Sequence, residues 1–172
     1  KIRYIGVSNF SADQHIEAFK AGPINSSQPR YNMLFGSAEE SILTTCRDMG
    51  VGVIVHSPLA KGMLTGKYIP GHRFPPDDER NLHSVFQTTK FKAAQPYLQK
   101  LVGWAADHGH NIAELAIAWT LANPAVTSSI VGAKTPEQVV ANLEAANWYL
   151  TSTDLAEIEG IFEGFSLDGK RT

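Results

Sequence analysis

The chain has 172 residues, of which 43% are hydrophobic and 19% are charged, and its formal net charge is −2. This length fits one domain with a single core, and the balanced charge gives no reason to expect a nucleic acid or a membrane surface as partner. No apolar run approaches the roughly 20 residues that span a bilayer. Cys46 is the only cysteine and cannot form an intrachain disulfide, so we expect a reducing, cytoplasmic setting.

The chain begins inside a strand pattern. Residues 2–7 are rich in β-branched and aromatic side chains and predict the first strand, with no initiator Met or leader before it. We therefore expect a fragment, a processed chain or a partial record of a longer protein. A helix is predicted from Ser11, because Ser11 and Gln14 have capping-box spacing, and Ile16 and Phe19 would form its apolar face.

The next two strands are short. Residues 24–28 predict the second strand, and a helix over 37–49 follows, opened by a capping box that includes Glu40. Residues 51–55 predict the third strand. This segment is almost wholly apolar, which is typical of a parallel strand that is covered on both faces.

The rest of the chain continues the alternation. It predicts, in order, a helix near 95–108, a helix over 112–122, a fourth strand over 126–131 and a last helix over about 153–162. Asn111 and Glu114 have capping-box spacing. Thr135 followed by Pro136 predicts an N-cap and a proline at the first helical position, so another helix follows the fourth strand.

Alternation of strands and helices predicts an α/β fold with a parallel sheet. Four such units are too few to close an eight-stranded barrel, and they would also suit a small doubly wound sheet. No G-x-G-x-x-G follows a strand, which disfavours a Rossmann nucleotide site. The segment 59–92 is rich in Gly, Pro and charge and is too long for an ordinary connection, so it is either functional or disordered.

The predicted strands end in polar residues, where ligands bind in parallel barrels. These residues are Ser8 and Asn9, Gln28, His56 and Ser57, and the run from Gly132 to Thr135. For each residue alone, a turn or capping role is at least as well supported as a ligand role. Their convergence on one rim favours a ligand site.

Two segments have the character of phosphate sites. After the fourth strand, Gly132 and Lys134 precede a helix N-terminus, and Gln138 and Asn142 follow one turn apart on one face. The alternative is a surface lysine beside a well-capped helix. After the third strand, two glycines and two lysines could wrap a pyrophosphate, although Tyr68 stands where a P-loop needs Ser or Thr.

Four motifs together resemble the aldo-keto reductase superfamily in order and spacing, over nearly the whole chain. They are Gly6-Val7-Ser8-Asn9-Phe10, Gln28-Pro29-Arg30-Tyr31-Asn32, Ser57-Pro58-Leu59 continuing to Gly66-Lys67-Tyr68, and Gly132-Ala133-Lys134-Thr135-Pro136-Glu137-Gln138 with Asn142. The branch most similar is the bacterial and potassium-channel-β-subunit-like one. The resemblance implies the C-terminal half of a (β/α)8 TIM barrel: one partial-barrel domain over 1–172, with a cofactor-covering loop at 59–92.

The resemblance also implies NADP(H) as cofactor and an NADPH-dependent reduction of aldehydes or ketones. Ser8, Asn9 and Gln28 would bind the nicotinamide carboxamide. The pyrophosphate would be lined by Ser57, Pro58, Leu59, Ala60, Lys61 and Lys67. Lys134 and Gln138 would hold the 2′-phosphate, Gly132 would let the backbone approach it, Asn142 would contact the adenine, and Arg80 would reach the cofactor too.

Two residues depart from the family pattern. His56 stands where an aromatic residue usually stacks under the nicotinamide, which changes both the stacking face and its response to pH. Ala141 stands where a Glu commonly faces the adenine amino group.

We assign no catalytic residue and no metal ligand. In the family, the proton donor is a Tyr assisted by Lys, Asp and His, and all four belong to the N-terminal half. None of the tyrosines at 4, 31, 68, 97 and 149 matches that motif. The implied partners are a small carbonyl substrate and the missing N-terminal half or a second chain, and the alternative is a non-catalytic NADPH-binding module or sensor.

Overall fold

A computed structural model describes residues 1–83, 86, 88–163, 165 and 167, apart from the side chains of Glu40 and Thr88. Four parallel strands form a sheet in the order β1-β2-β3-β4: β1 Gly6–Ser8, β2 Ser26–Gln28, β3 Gly52–His56 and β4 Ser128–Ile130. The helices are α1 Ala12–Ala21, α2 Thr44–Asp48, α3 Thr88–Asp107, α4 Ile112–Ala122, α5 Pro136–Ala145 and α6 Ser152–Ile161. The predicted α/β fold with a parallel sheet is confirmed.

The first strand is shorter than predicted. β1 begins at Gly6, and residues 2–5 precede it with Ile2 and Tyr4 largely exposed. Its partner β2 begins only at Ser26, so the backbone N–H of Ile5 donates to the side-chain Oδ1 of Asn25, at 2.9 Å, instead of to a ladder carbonyl. The prediction of a strand over residues 2–5 is therefore wrong, because β2 begins at Ser26 and has no residues in register with them.

Helix α1 has the predicted cap but not the predicted face. Ser11 and Gln14 form a capping box, as expected. Ile16 and Phe19, however, are 49% and 36% exposed. The buried residue is His15, whose Nδ1 lies 2.7 Å from the carbonyl oxygen of Ser11 and whose Nε2 lies 2.8 Å from Ser27 Oγ. A hydrogen-bonded histidine therefore sets the orientation of α1 on the sheet.

The segment predicted as one helix over 37–49 is irregular. A π-helical turn at Glu39–Leu43 precedes α2, and Ala38 at its start provides no side-chain cap. The Glu40 half of the predicted capping box lies outside the described side chains. Leu43 and Cys46 are buried in the core, and burial raises the pKa of the Cys46 thiol.

The later helices agree better with the sequence. The capping box of Asn111 before α4 and the cap of Thr135 before α5 are both confirmed. Helix α3 begins at Thr88 rather than near 95, with Pro96 inside it, and its first turn places Phe91 in the core. No helix in the described parts of the chain is long and apolar enough to cross a membrane.

The core lies around the central strand β3. Val53 and Val55 are fully buried, as are Leu115 of α4 and Leu101 of α3. Both neighbours of β3 are shorter, and the outer edges of β1 and β4 have no strand partner among the described residues. The carboxyl ends of all four strands therefore face the same rim, with β3 as its fixed centre.

The described part of the segment 59–92 is folded. It contains short 3₁₀ turns at Ala60–Thr65 and Glu79–Asn81, and its far end is already part of α3. Tyr68, Phe74 and Phe86 pack edge to face, with ring centroids 4.8 to 6.0 Å apart. The described residues of this segment are packed together, and its role over a cofactor stays a prediction.

Candidate functional site

The ends of β1, β2 and β3 are joined by hydrogen bonds between the predicted ligand residues. The carbonyl oxygen of Gln28 accepts from the Asn9 backbone N–H at 3.1 Å and from the Ser8 hydroxyl at 3.2 Å. Across the rim, His56 Nε2 lies 2.9 Å from Asn9 Oδ1. Ser8, Asn9, Gln28 and His56 therefore form one connected group, as their positions at the strand ends predicted.

The hydrogen bonds of His56 suit a neutral imidazole. Because Asn9 Oδ1 can only accept, Nε2 carries the proton and Nδ1 accepts from the Ser57 hydroxyl at 2.9 Å. Burial lowers the pKa of His56, and the positive charges of Arg30 and Lys61 lower it further. The unfolded chain takes up this proton first, so folding is favoured above the ordinary histidine pKa and loses that contribution as the pH falls toward the folded-state value.

Strained backbone marks the same rim. Among the described residues, the non-glycine residues with positive φ are Asn9 (56°), Ser57 (58°), Ala60 (47°) and Lys61 (57°). Such conformations cost free energy and persist where the surroundings impose them, often at functional sites. All four are predicted cofactor residues. Gly62 in the same segment also has a positive φ (99°), and this position needs glycine because a Cβ there would lie 2.9 Å from the Tyr68 ring.

Asn32 holds the strained turn after β3, a role that the sequence analysis did not assign. It is 1% exposed, and its Nδ2 donates to the carbonyl oxygen of Ser57 at 2.9 Å. Its Oδ1 accepts from the Leu34 backbone N–H at 3.1 Å. The available signal was a lone polar residue between the apolar Tyr31 and the apolar run that begins at Met33.

A cleft of about 1240 Å³ runs from the rim toward the start of α5. Most of the predicted cofactor residues line it, namely His56, Ser57, Pro58, Leu59, Lys61, Lys67, Arg80, Gly132, Lys134, Gln138 and Asn142. Ala141 lines it as well. Within the described residues, no group of three or more His, Cys, Asp or Glu side chains is arranged to hold a metal ion.

A second cavity, of about 480 Å³, adjoins the cleft. It is lined by Asn9 and Ala60, two of the remaining predicted residues, and it shares His56, Ser57 and Lys61 with the cleft. Ser8 and Gln28 line neither cavity and reach this region only through their hydrogen bonds to the rim. The predicted set is therefore divided between two adjacent spaces.

Arg80 is already engaged by groups of this chain. It forms an ion pair and hydrogen bonds with Asp78, and its Nη1 donates to Tyr68 Oη at 2.7 Å. Its guanidinium carbon lies 4.3 Å from the centre of the Phe74 ring. These contacts hold the pKa of Asp78 far below its usual range and raise that of Arg80. Arg80 therefore braces the loop over the cleft.

The lysines of the cleft differ in their partners. Lys61 is paired with Glu79 at 2.6 Å, a contact that also lowers the pKa of Glu79. In the described part of the chain, no carboxylate lies within 4.0 Å of Lys67 or Lys134. These two are the cations of the cleft that are open to an anionic ligand.

The N-terminus of α5 is capped by groups of its own segment. The Lys134 backbone N–H donates to Gln138 Oε1 at 2.7 Å, and the Gln138 N–H donates to Thr135 Oγ1 at 3.3 Å. The Glu137 carboxylate bonds its own N–H and the Thr135 hydroxyl, which lowers its pKa. The helix end is thus capped internally, while Gly132 leaves open space, with no atom within 4 Å of the position of a Cβ.

Comparison with known proteins gives one consistent result. The model of the Aldo/keto reductase family matches residues 1–163. The chain is 36% identical to aldo-keto reductase YhdN of Bacillus subtilis, over 95% of this chain and 50% of that protein. It is 34% identical to an NADH-specific methylglyoxal reductase of Escherichia coli (90% and 47%), and 37% to a probable voltage-gated potassium channel subunit beta of Oryza sativa (83% and 46%).

Comparison with solved structures points to the same family. The glycerol dehydrogenase AKR11B4 from Gluconobacter oxydans superposes with a TM-score of 0.86 at 27% identity, covering 100% of this chain and 53% of that one. The chain therefore spans about half the length of the relatives that it matches. The recognised family and the branch with bacterial and channel-subunit members are both confirmed.

The hydrogen bond from Asn32 to the Ser57 carbonyl clamps the turn after β3, and this clamp is testable by mutation. Replacing Asn32 with Ala leaves the Ser57 carbonyl without its bond, so we expect the protein that carries this chain to lose about 2 kcal/mol of unfolding free energy. Hydrogen exchange of the amides at 57–62 should accelerate. Asn147→Ala, at an exposed position that lines neither cavity, should change stability by less than about 0.5 kcal/mol. Equal effects of the two substitutions would contradict the clamp.

Proposed function

The chain belongs to the aldo/keto reductase family, and from this we propose that it is the cofactor-binding, C-terminal half of an NADPH-dependent (β/α)8-barrel reductase of aldehydes or ketones. The observation that carries the proposal is the connected group at the ends of β1, β2 and β3, in which His56 lines the cleft and Asn9 lines the cavity that adjoins it. In parallel α/β barrels, ligands bind at this end of the strands.

The exposed apolar side chains support a half-barrel. Ile2, Tyr4 and Ile5 are exposed beside the outer edge of β1, which pairs with no other described strand, and Ile130 is 47% exposed on β4 at the opposite edge. An apolar strand edge without a partner is a ready template for pairing. In the proposal, either the N-terminal half of the barrel or a second chain covers these edges, residues 1–172 form one partial-barrel domain, and 59–92 covers the cofactor.

The nicotinamide end of the cofactor fits the rim. In the proposal, Gln28, Asn9 and Ser8 bind the carboxamide. The Gln28 side-chain amide has none of its groups in a hydrogen bond among the described residues, so it can donate and accept. Asn9 Oδ1 is occupied by His56, which fixes the amide for donation. His56, neutral and flat, replaces the usual aromatic face.

The rest of the cleft suits the phosphates and the adenosine. Ser57, Pro58, Leu59 and Ala60 provide the tightly turned backbone beside which a pyrophosphate would lie, with Lys61 and Lys67 as cations. Lys61 would exchange Glu79 for phosphate, whereas Lys67 has no carboxylate to give up within the described residues. At the far end, Lys134, Gln138 and Asn142 would hold the 2′-phosphate and adenine, and Gly132 leaves room for them.

The chemical step divides between the cofactor and the protein. A reduced nicotinamide supplies hydride to a carbonyl carbon, and the protein must supply a proton. Tyr68 is the tyrosine of the described chain that lines the cleft, and its hydroxyl accepts from Arg80 and supports the loop. The donor in this proposal therefore comes from the half of the barrel that this chain does not contain.

The choice between NADPH and NADH depends on two charges at α5. Lys134 has no described carboxylate within 4.0 Å and favours a 2′-phosphate, whereas the Glu137 carboxylate occupies the helix N-terminus and opposes one. One relative is named as NADH-specific, so similarity to this family does not by itself decide between the two cofactors. We propose NADP(H), because Lys134 lines the cleft directly.

A second function is supported by the similarity to a channel subunit. In this alternative, the chain is a cofactor-binding module or sensor without turnover, consistent with 37% identity to the Oryza protein. We propose a cytoplasmic location for either function, on the basis of the buried free thiol of Cys46.

The cofactor preference is tested by binding. Lys134→Ala should weaken NADPH about tenfold and leave NADH nearly unchanged, because only NADPH carries the 2′-phosphate. Glu137→Gln should strengthen NADPH by removing a negative charge from the helix N-terminus. Titration calorimetry of the full-length protein measures both, with Lys20→Ala on α1 as the matched charge control. Equal losses for the two cofactors in Lys134→Ala would refute the assignment.

The proposal that the proton donor lies outside this chain is tested with the isolated chain. With NADPH and 4-nitrobenzaldehyde, the 172-residue chain should show no cofactor consumption above the protein-free rate, since a placed general acid contributes roughly 10²–10⁴-fold. Circular dichroism and NADPH fluorescence establish that the tested chain is folded and binds cofactor. Turnover at the rate of the full-length protein would place the donor inside this sequence, and its loss in Tyr68→Phe would identify it.

A further inference from the structure

The smaller cavity has a polar and cationic lining that the cofactor assignments leave unused. Arg30, Phe35 and Ser37 line it beside His56, and none of these except His56 lines the cleft. No aspartate or glutamate is among its described lining residues. At about 480 Å³, it is the size of a site for a small organic molecule.

Arg30 is an exposed residue at the wall of this cavity, and both its backbone and its side chain contact neighbouring residues. Its backbone pairs with His56 in an isolated parallel bridge beyond the end of β2. Its guanidinium carbon lies 4.2 Å from the centre of the buried Phe35 ring. A cation–π contact of this kind uses none of the guanidinium N–H groups as hydrogen-bond donors to an oxygen, so they remain available to a ligand.

The guanidinium has no anionic partner in the described chain. No described carboxylate lies within 4.0 Å of Arg30, in contrast to Arg80 with Asp78 and Lys61 with Glu79. The positive charges of Arg30 and Lys61 both reach His56, where they help to lower its pKa. A stacked arginine without a carboxylate, at the wall of an acid-free cavity, is suited to bind a carboxylate or a phosphate in a fixed orientation.

We propose that this cavity is an anion subsite for the substrate, and that the enzyme reduces carbonyl compounds that carry a carboxylate or phosphate group, which Arg30 binds. The inference rests on the proposed reductase function and adds a substrate class to it. Arg30 acts as a specificity residue that orients the substrate, while the carbonyl lies toward the cleft that the cavity adjoins.

Matched aldehydes test the inference in the full-length protein with saturating NADPH. 4-Carboxybenzaldehyde and its methyl ester share the ring and the reacting carbonyl and differ by one charge. 4-Formylphenyl phosphate and 4-methoxybenzaldehyde form the second pair, which separates a carboxylate preference from a phosphate preference. The wild-type protein should show a higher kcat/KM for at least one anionic member, about tenfold or more above its neutral partner.

Three substitutions locate the preference. Arg30→Ala should abolish the anionic-to-neutral ratio mainly through KM, and Arg30→Lys should retain part of it, because the charge remains but the bidentate fork is lost. Arg47→Ala removes one arginine from the outer face of α2, where it is paired with Asp48 and lines neither cavity, and should leave the ratio unchanged.

The outcomes separate the two proposals. Turnover of the neutral aldehydes, with a ratio that Arg30→Ala does not change, would overturn the anion subsite and leave the reductase function standing. A wild-type protein that binds NADPH but reduces none of the four aldehydes would overturn the reductase function, and with it the subsite. A circular dichroism spectrum like that of the wild type shows that Arg30→Ala is folded when the ratio is compared.

Discussion

The site depends on the position of one turn, at Ser57, where the chain leaves β3. Asn32, in the segment that follows β2, fixes this turn through the Ser57 carbonyl, and His56 joins the turn to Asn9 at the end of β1. Three strand ends are thereby held in one register. Because Ser57, Ala60 and Lys61 have positive φ, the chain turns sharply and runs along the cleft instead of entering a helix at once. Without the clamp, that path would not be favoured.

Most local signals in the sequence predicted local structure correctly, although the capping box expected at 37–40 did not open a regular helix. Ser11 with Gln14 and Asn111 with Glu114 gave the right helix starts, because a capping box needs only residues within four positions of each other. The errors involved long-range partners. Ile16 and Phe19 form an apolar face by spacing, yet α1 is oriented by His15 and Ser27, whose contact joins residues on different elements.

The same distinction applies to the site. The lining of the cleft followed from the strand ends and the family resemblance, since both specify position along the chain. Charge pairing did not follow, because the partner of Lys61 is Glu79, in a loop whose path cannot be read from periodicity. The sequence also did not show that Glu137 occupies the N-terminus of α5. Asn32 was visible as part of a motif, but its role requires the position of Ser57.

The central claim is that this cleft binds a nicotinamide cofactor, and amide hydrogen exchange tests it most directly. Exchange is measured in the full-length protein with and without saturating NADPH. The account predicts slower exchange at 57–67 and 132–138, which line the cleft, and unchanged exchange in α6, none of whose described residues lines it. Protection that is unchanged at both cleft segments while NADPH binds would contradict the account, because the cofactor would then lie elsewhere.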